Sequence, residues 1–243
     1  LLDESLEHPA IEALFTVDEE TGLTGAFGLG EGMLTGKYLV NLDSEDEGEI
    51  FIGCAGGIDT TAEFHHTYDE ICEDFVLEEV YVKDAMGGHS GDDINKGRAN
   101  AVQLLGRFLY SILDLDWQLV TIDGGNKRNA IAREAEAVIT IPMAYKEDIR
   151  VMLNHYIATI EAEIGDVEKD FFMHLETTDM PATIIPTDKA KVLIQALYAC
   201  PHGMTAMSKT MPGLVETSTN LASVKMKEDE KGAFVEINTS QRS

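Results

Sequence analysis

The chain has 243 residues, of which 44% are hydrophobic, so it is long enough to form one large or two ordinary domains with a real core. Its formal net charge of −26, from 18 basic and 44 acidic residues, argues against nucleic acids and anionic membrane surfaces as partners. No run of about 18 or more apolar residues predicts a membrane helix. Three widely spaced cysteines, Cys54, Cys72 and Cys200, indicate a reducing cytoplasm.

Carboxylates follow two apolar runs in the first part of the chain. Three such runs predict strands at 11–17, 38–42 and 49–53. Glu19 and Glu20 come just after the first run, and Asp43 follows the second. In an open α/β sheet the site lies at the ends of buried strands, and oxygen ligands suit a divalent cation. The pattern therefore predicts a metal site, with one of the two adjacent glutamates left free as a base. The alternative is ordinary acidic loops in an acidic protein.

The periodicity changes after residue 57, which predicts a domain boundary with a linker near 56–60. Strands are predicted at 75–82, 117–122, 135–141 and 170–176, and helices at 98–113 and 147–164. This order, β-α-β-β-α-β, is that of a ferredoxin-like unit. A helix at 187–199 and strands at 215–227 and 233–239 follow. We expect the partners of these last strands to lie beyond Ser243.

Two glycine-rich segments in this second part carry candidate binding residues. His89 lies in GGHSG, where glycines let the backbone approach a ligand closely and present the histidine on a turn. The alternative is a capped turn into the next helix, with His89 incidental. Asn129 lies in GGNKRNAI, whose amides and cations suit a carboxylate or amide ligand. The alternative there is a hairpin turn rich in Asn and Gly.

Five linked motifs carry a resemblance to a known family, in order and over essentially the whole chain. They are DEETGLTGA, LVNLDSEDEGEIFIGCAGGID, GGHSGDDI, GGNKRNAIARE and GLVETSTN. Together they resemble the zinc metallopeptidase family that includes peptidase T, peptidase V and carboxypeptidase G, and within it the aminoacyl-histidine (Xaa-His) dipeptidases. The first and third motifs indicate only the wider family, whereas CAGGID, RNAI and VETS indicate the Xaa-His branch.

The resemblance implies a role for each matching residue in the first part of the chain. Glu19 matches the general base that takes a proton from a metal-bound water. Glu20 matches a ligand of one divalent metal ion, and Asp43 matches a ligand of a second. The metals implied are zinc, with manganese or cobalt sharing the same ligand types.

The resemblance assigns substrate contacts to the second part. His89 matches a histidine that reaches the substrate carbonyl and stabilises the tetrahedral intermediate. Asn129 matches a residue that binds substrate near its carboxylate. Arg242 falls where the family places an arginine that binds the substrate carboxylate, a role that suits a guanidinium fork.

The fold that the resemblance implies is α/β in two parts. Residues 1–57 would be part of an open-sheet di-metal peptidase catalytic domain, and residues 58–243 a ferredoxin-like α+β lid domain, incomplete at its C-terminus. The family's further histidine and aspartate ligands have no counterpart in this chain, so we expect the 243 residues alone to be inactive.

The expected activity is metal-dependent hydrolysis of Xaa-His dipeptides in the cytoplasm, with a homodimer through the lid domain as a partner. Two alternatives stand beside it: a non-catalytic lid or dimerisation module, and a sister peptidase or deacylase.

Overall fold

The computed structural model describes residues 5–43, 47–71, 74–178 and 183–243, except for the side chains of residues 20 and 21. Cys72 lies outside the described residues. The chain divides into two compact units, Leu1–Cys54 (unit 1) and Ala55–Ser243 (unit 2). The sequence places this boundary after residue 57.

Unit 1 contains two single-turn helices, α1 (Glu19–Gly22) and α2 (Thr24–Phe27), and no strand among its described residues. The three strands predicted here are therefore wrong for this structure. A strand is stable only when its backbone groups pair with neighbours, and a lone strand has none. Within the described part of unit 1 no segment pairs with these runs, so they remain irregular.

Apolar side chains of unit 1 are consequently exposed. Phe15 is 89% exposed, Tyr38 92% and Ile52 99%. One polar contact links distant parts of the unit, because the carboxylate of Glu12 accepts hydrogen bonds from the Thr35 hydroxyl and the Thr35 backbone N–H. These hydrogen bonds lower the pKa of Glu12, and the bond from the Thr35 hydroxyl has the largest effect.

Unit 2 contains twelve strands, three α-helices and one 3-10 helix (Met143–Tyr145) among its described residues. The strands are β1 (Gly57–His66), β2 (Asp69–Glu70), β3 (Phe75–Lys83), β4 (Gly88–His89), β5 (Gln118–Gly125), β6 (Ala130–Ile131), β7 (Ala135–Pro142), β8 (Phe172–Thr177), β9 (Thr183–Ile184), β10 (Gly203–Met207), β11 (Val215–Asp229) and β12 (Gly232–Arg242). The helices are α3 (Ala101–Ser111), α4 (Lys146–Ile164) and α5 (Thr187–Ala199). None of the described helices is long and apolar enough to cross a membrane.

The predicted ferredoxin-like unit is confirmed. Its elements follow one another as β3, α3, β5, β7, α4 and β8, and its strands lie in the sheet order β8-β3-β7-β5 with antiparallel neighbours. Each of these predicted elements is present, with ends that differ by a few residues. The hydrophobic periodicity of this part of the chain therefore identified both the elements and their order.

The sheet continues beyond β5 through β11, β12 and β1, and β10 also pairs with β11. The expectation that the partners of the last strands lie beyond Ser243 is therefore wrong. β1 pairs with β12 along ten residues, from Gly57 opposite Arg242 to His66 opposite Ala233. The segment expected to be a linker, 56–60, instead enters this strand. The last strand, β12, therefore pairs with residues that precede the ferredoxin-like unit.

The main core lies between the sheet and the three long helices. Phe108 of α3, Ile149 of α4 and Leu193 of α5 are fully buried together with Val80 of β3. Tyr156 of α4 also reaches α3, where its hydroxyl donates to a backbone carbonyl at 2.8 Å. This core fixes the strands whose ends and loops carry the residues of the candidate site.

Candidate functional site

A buried carboxylate closes the base of the loop that carries His89 (residues 86–99, the His89 loop). Glu168 is 4% exposed, and its two oxygens accept from the backbone N–H of Met86 at 2.8 Å and of Ala99 at 2.7 Å. Because these residues begin and end the loop, one side chain holds both of its ends. Hydrogen bonds to an ionised acceptor are among the stronger ones in proteins.

The interior of the His89 loop is held by an arginine and an aspartate. Arg98 donates to the carbonyl of Gly87 at 2.7 Å and forms an ion pair with Asp93 at 3.0 Å. Asp93 in turn accepts from the backbone N–H of His89 at 2.8 Å. A hydrogen bond from Lys96 is the largest cause that lowers the pKa of Asp93, so this carboxylate is ionised at neutral pH.

The imidazole of His89 is exposed and has a carboxylate partner. Its Nδ1 lies 3.0 Å from Oδ2 of Asp92. An ionised carboxylate can only accept, so Nδ1 carries the hydrogen in this contact. Nε2 is then the ring nitrogen that remains for a ligand, and Asp92 fixes the direction in which it faces.

Asn129 lies beside His89 because two short strands pair. β4 and β6 place His89 opposite Ala130, and the backbone N–H of Ser90 donates to the carbonyl of Asn129 at 2.8 Å. The two glycine-rich segments predicted as separate candidates therefore form one structural element. Asn129 does not lie in a hairpin turn, since β5 pairs with β7 and β11 whereas β6 pairs with β4.

A buried amide holds the backbone on both sides of Asn129. The Nδ2 of Asn220, 1% exposed on β11, donates to the carbonyl of Arg128 at 2.9 Å and to that of Ala130 at 2.8 Å. These carbonyls flank Asn129, so Asn220 fixes the position from which the Asn129 side chain emerges. The Oδ1 of Asn220 is buried and has no hydrogen-bond partner among the described residues.

Arg242, at the end of β12, reaches the same place. A Cβ atom built on Gly91 would lie 2.8 Å from Nη1 of Arg242 and 3.1 Å from Cε1 of His89, so the guanidinium and the imidazole share the space over Gly91. The structure thus brings together three predicted residues, His89, Asn129 and Arg242 (the His–Asn–Arg cluster). They come from three separate parts of unit 2.

The carboxylates near this cluster are already engaged. Asp59 lies on β1 next to the Arg242 end of β12, and Arg128 binds it at 3.0 Å. Among the residues that the structure describes, Arg242 has no carboxylate within ion-pair distance. In a chain of net charge −26, a half-buried guanidinium without a carboxylate partner is suited to an anionic group from outside the chain.

A further polar network joins the start of α3 to β11. Asn100 caps α3 by accepting from the N–H of Gln103, and its Nδ2 donates to the carbonyl of Leu221 at 2.7 Å. Nδ1 of His202 lies 3.2 Å from the N–H of Leu221 and 3.2 Å from Nδ2 of Asn100. Both partners are donors, so His202 accepts through an unprotonated Nδ1. Burial lowers the pKa of His202 to about 4.

The three candidates in unit 1 do not form a comparable cluster. Glu19 and Asp43 are exposed, and the side chain of Glu20 lies outside the described residues. The two glutamates do not lie in an extended segment, because Glu19 begins helix α1.

Within the described ranges, no group of three His, Cys, Asp or Glu side chains lies close enough to hold a metal ion. A catalytic zinc takes about three protein ligands, so the described side chains do not fit one by themselves. The geometry of the candidate site is therefore that of unit 2.

Several positioning residues of the site were not predicted. Glu168 and His202 lie in no motif. Asn220 ends the motif GLVETSTN, but no role was assigned to it. The partners of all three are distant in sequence, and Glu168, for example, contacts residues 69 and 82 positions away. A polar side chain inside a predicted core strand is a further signal for Asn220, which stands within the predicted strand 215–227.

Comparison with known proteins gives matches to a family model, to a curated relative and to solved structures. The family description "Peptidase dimerisation domain" matches residues 80–168, which run from β3 to just after α4. The cytosol non-specific dipeptidase of Escherichia coli (strain K12) is 37% identical over 227 residues, which are 93% of this chain and 47% of that protein. The crystal structure of aminoacylhistidine dipeptidase from Vibrio alginolyticus matches with a TM-score of 0.82 and 40% identity, covering 94% of this chain and 46% of that one.

The chain therefore spans about half the length of the relatives that it matches. The structural match extends over both units and confirms the fold class, a mixed α/β part of a peptidase fold. The dimerisation-domain match coincides with most of the ferredoxin-like unit, the part of the chain expected to be the lid. The resemblance is thus confirmed: over nearly its whole length this chain is similar to dipeptidases, an aminoacylhistidine dipeptidase among them, and residues 80–168 match the peptidase dimerisation domain of the M20 family.

Proposed function

We propose that the whole protein hydrolyses dipeptides, Xaa-His dipeptides among them, and that unit 2 binds the carbonyl and the carboxylate of the substrate. The observation that carries the proposal is the His–Asn–Arg cluster, in which Arg242 shares the space over Gly91 with His89. Its support comes from the relatives, which are named as dipeptidases and align with both units.

The roles in the cluster follow from the chemistry of each side chain. The guanidinium of Arg242 offers paired donors to the C-terminal carboxylate of a dipeptide, and the Asn129 amide offers a further donor. His89 donates from Nε2 to the oxygen of the scissile carbonyl as negative charge develops there. Since Nδ1 already donates to Asp92, this role requires the imidazolium form, and Asp92 supplies its counter-charge.

The proposal keeps Glu19 as the base, and Glu20 and Asp43 as ligands of two divalent ions, with zinc first and manganese or cobalt as alternatives. These assignments rest on the family resemblance alone. They include the expectation that further ligands come from residues that this chain does not contain, so that the 243 residues alone are inactive. A cytosolic location and a homodimer through residues 80–168 are also part of the proposal, supported by the names of the relative and of the matched domain.

The test is hydrolysis by the whole protein and by this chain, each with added zinc or manganese. The substrates are an Xaa-His dipeptide, other dipeptides, a tripeptide and an N-acyl amino acid. We expect the whole protein to prefer the dipeptides and Glu19→Gln to lose about a hundredfold or more of kcat, as for removal of a general base. Glu31→Gln, another exposed glutamate of unit 1, is the matched control.

Three outcomes would contradict parts of the proposal. Absence of peptide hydrolysis by the whole protein would favour a non-catalytic lid or dimerisation module. Preference for N-acyl amino acids would favour a deacylase. Activity of the 243-residue chain alone would mean that its metal ligands are other residues than those assigned. Zinc titration then distinguishes an inactive metalloenzyme, which binds zinc, from a dimerisation module, which needs no metal.

A further inference from the structure

The glycines of the His89 loop are of two kinds. Gly87 and Gly88 have φ of +64° and +140°, a backbone region in which side chains are strained, so the chain path itself requires glycine there. Gly91 is not among the glycines with positive φ. Its backbone would accept alanine without strain, so a different reason must account for the missing side chain.

That reason is the space over Gly91. A Cβ atom there would lie 2.8 Å from Nη1 of Arg242, closer than real Cβ contacts allow, and 3.1 Å from Cε1 of His89. The backbone of Arg242 is fixed by pairing with both Gly57 and Ser218. The flexible end of its side chain would therefore be the part that moves, at little cost to the fold.

Gly91 thus leaves free the space that the guanidinium and the imidazole share. Both groups also keep their polar functions available for a ligand. His89 leaves Nε2 open because Asp92 engages Nδ1, and Arg128 rather than Arg242 binds Asp59. The position that leaves this space free carries no chemistry of its own.

We infer that Gly91 is a specificity-determining position, which selects substrates that have a single residue after the scissile bond. The inference rests on the proposed function. In such substrates the carboxylate carbon is only three covalent bonds from the scissile carbonyl carbon, which suits an arginine that shares the space over Gly91 with the histidine. Each further residue moves the carboxylate away by up to about 3.5 Å, beyond the position where Arg242 lies.

The experiment compares Gly91→Ala with wild type in the whole protein, on a dipeptide, the same dipeptide with a C-terminal amide, and a tripeptide. We expect KM for the dipeptide to rise about tenfold or more, as for loss of a charged hydrogen bond, with a smaller change in kcat. The amide should be cleaved by both proteins at the same rate. The tripeptide-to-dipeptide ratio of kcat/KM should therefore rise in the variant.

Two further variants keep the result interpretable. Gly106→Ala, inside α3, has only an ordinary contact, 3.5 Å to Leu197, and should leave all three substrates unchanged. Arg242→Met should reproduce the loss without altering the loop, and the double variant with Gly91→Ala should show no additional loss. Thermal unfolding of each variant, followed by the fluorescence of Trp117, checks the fold.

The outcomes separate the inference from the function beneath it. If wild type cleaves dipeptides and Gly91→Ala changes neither KM nor the substrate ratio, the inference is wrong and the function stands. The same holds if dipeptide and amide lose rate in parallel, because the effect then does not involve the carboxylate. If wild type cleaves neither dipeptide nor tripeptide, the proposed function itself fails.

Discussion

Acidification should weaken unit 2 through His202, whose hydrogen-bond partners Asn100 and Leu221 are not members of the His–Asn–Arg cluster. In the folded chain its Nδ1 accepts hydrogen bonds, and burial lowers its pKa from 6.5 to about 4. Between these two values the unfolded chain binds a proton that the folded chain does not. Stability is therefore full above about pH 6.5, falls as the pH drops towards 4, and loses nothing more from this group below that.

The size of the effect follows from the difference between the two pKa values. At about 1.4 kcal/mol per unit, the fall from 6.5 to about 4 corresponds to at most about 3 kcal/mol. The effect is smaller than this limit because the ring keeps partial contact with solvent, so we expect acidification to lower the unfolding free energy by about 2 kcal/mol. That is a large part of the stability of an ordinary domain.

The assay is urea unfolding at several pH values between about 4 and 7.5, followed by fluorescence. Trp117 is the one tryptophan of the chain and is 3% exposed in unit 2, so it reports on this unit alone. His202→Asn keeps an acceptor near the position of Nδ1 but does not titrate, and His155→Asn at an exposed position of α4 is the control. The unfolding free energy of wild type should fall relative to His202→Asn as the pH drops. A constant difference would refute the reasoning.

Two more predictions concern backbone contacts of unit 2, both measured as unfolding free energy. Glu168→Gln leaves one backbone N–H of the His89 loop facing an amide donor, so it should lower the unfolding free energy by about 1–3 kcal/mol. The control, Glu161→Gln on the exposed side of α4, should leave the unfolding free energy unchanged. Equal unfolding free energies of the two variants would show that Glu168 does not hold the loop. Gly125→Ala should cost about 2 kcal/mol or more, because φ is +66° and the new Cβ would meet the carbonyl of Ala222. A neutral Gly125→Ala would mean that β5 and β11 are not tightly paired there.

Long periodic elements were predicted well because their pattern reflects the core that they build. Helix α5 was predicted with its observed ends, and β3 to within one residue. In both, apolar residues recur at the period of the element, since one face packs against the same buried cluster. The ferredoxin-like order followed directly from the strands and helices predicted between residues 75 and 176.

The errors arose where an element depends on a distant partner. β1 carries alternating residues at 58–64, but the glycines before it favoured a linker, and only pairing with β12 makes the segment a strand. The apolar runs of unit 1 have the composition of strands, and within the described residues they have no partner strand. Strand propensity reflects how well a side chain fits a half-buried position in a sheet, so it does not predict a strand where no neighbouring strand pairs with the segment.

The candidate site divides in the same way. Motifs identified His89 and Asn129, and the family resemblance identified Arg242, but neither showed that the first two share a pair of short strands or that the third reaches them over Gly91. Glu168 and Asn220 hold the backbone of the site, and neither was assigned a role, because their partners are backbone groups of other segments. The roles given to Glu19, Glu20 and Asp43 remain predictions.

The most direct test of the central claim is the preference of the whole protein for a free dipeptide over its C-terminal amide, measured as a ratio of kcat/KM. If Arg242 binds the substrate carboxylate, Arg242→Met should lower this ratio by about thirtyfold or more, which is the loss of a charged hydrogen bond of about 2 kcal/mol. Arg128→Met, which removes a guanidinium already bound to Asp59, should leave the ratio unchanged. An unaltered ratio in Arg242→Met, or an equal loss in both variants, would contradict the account.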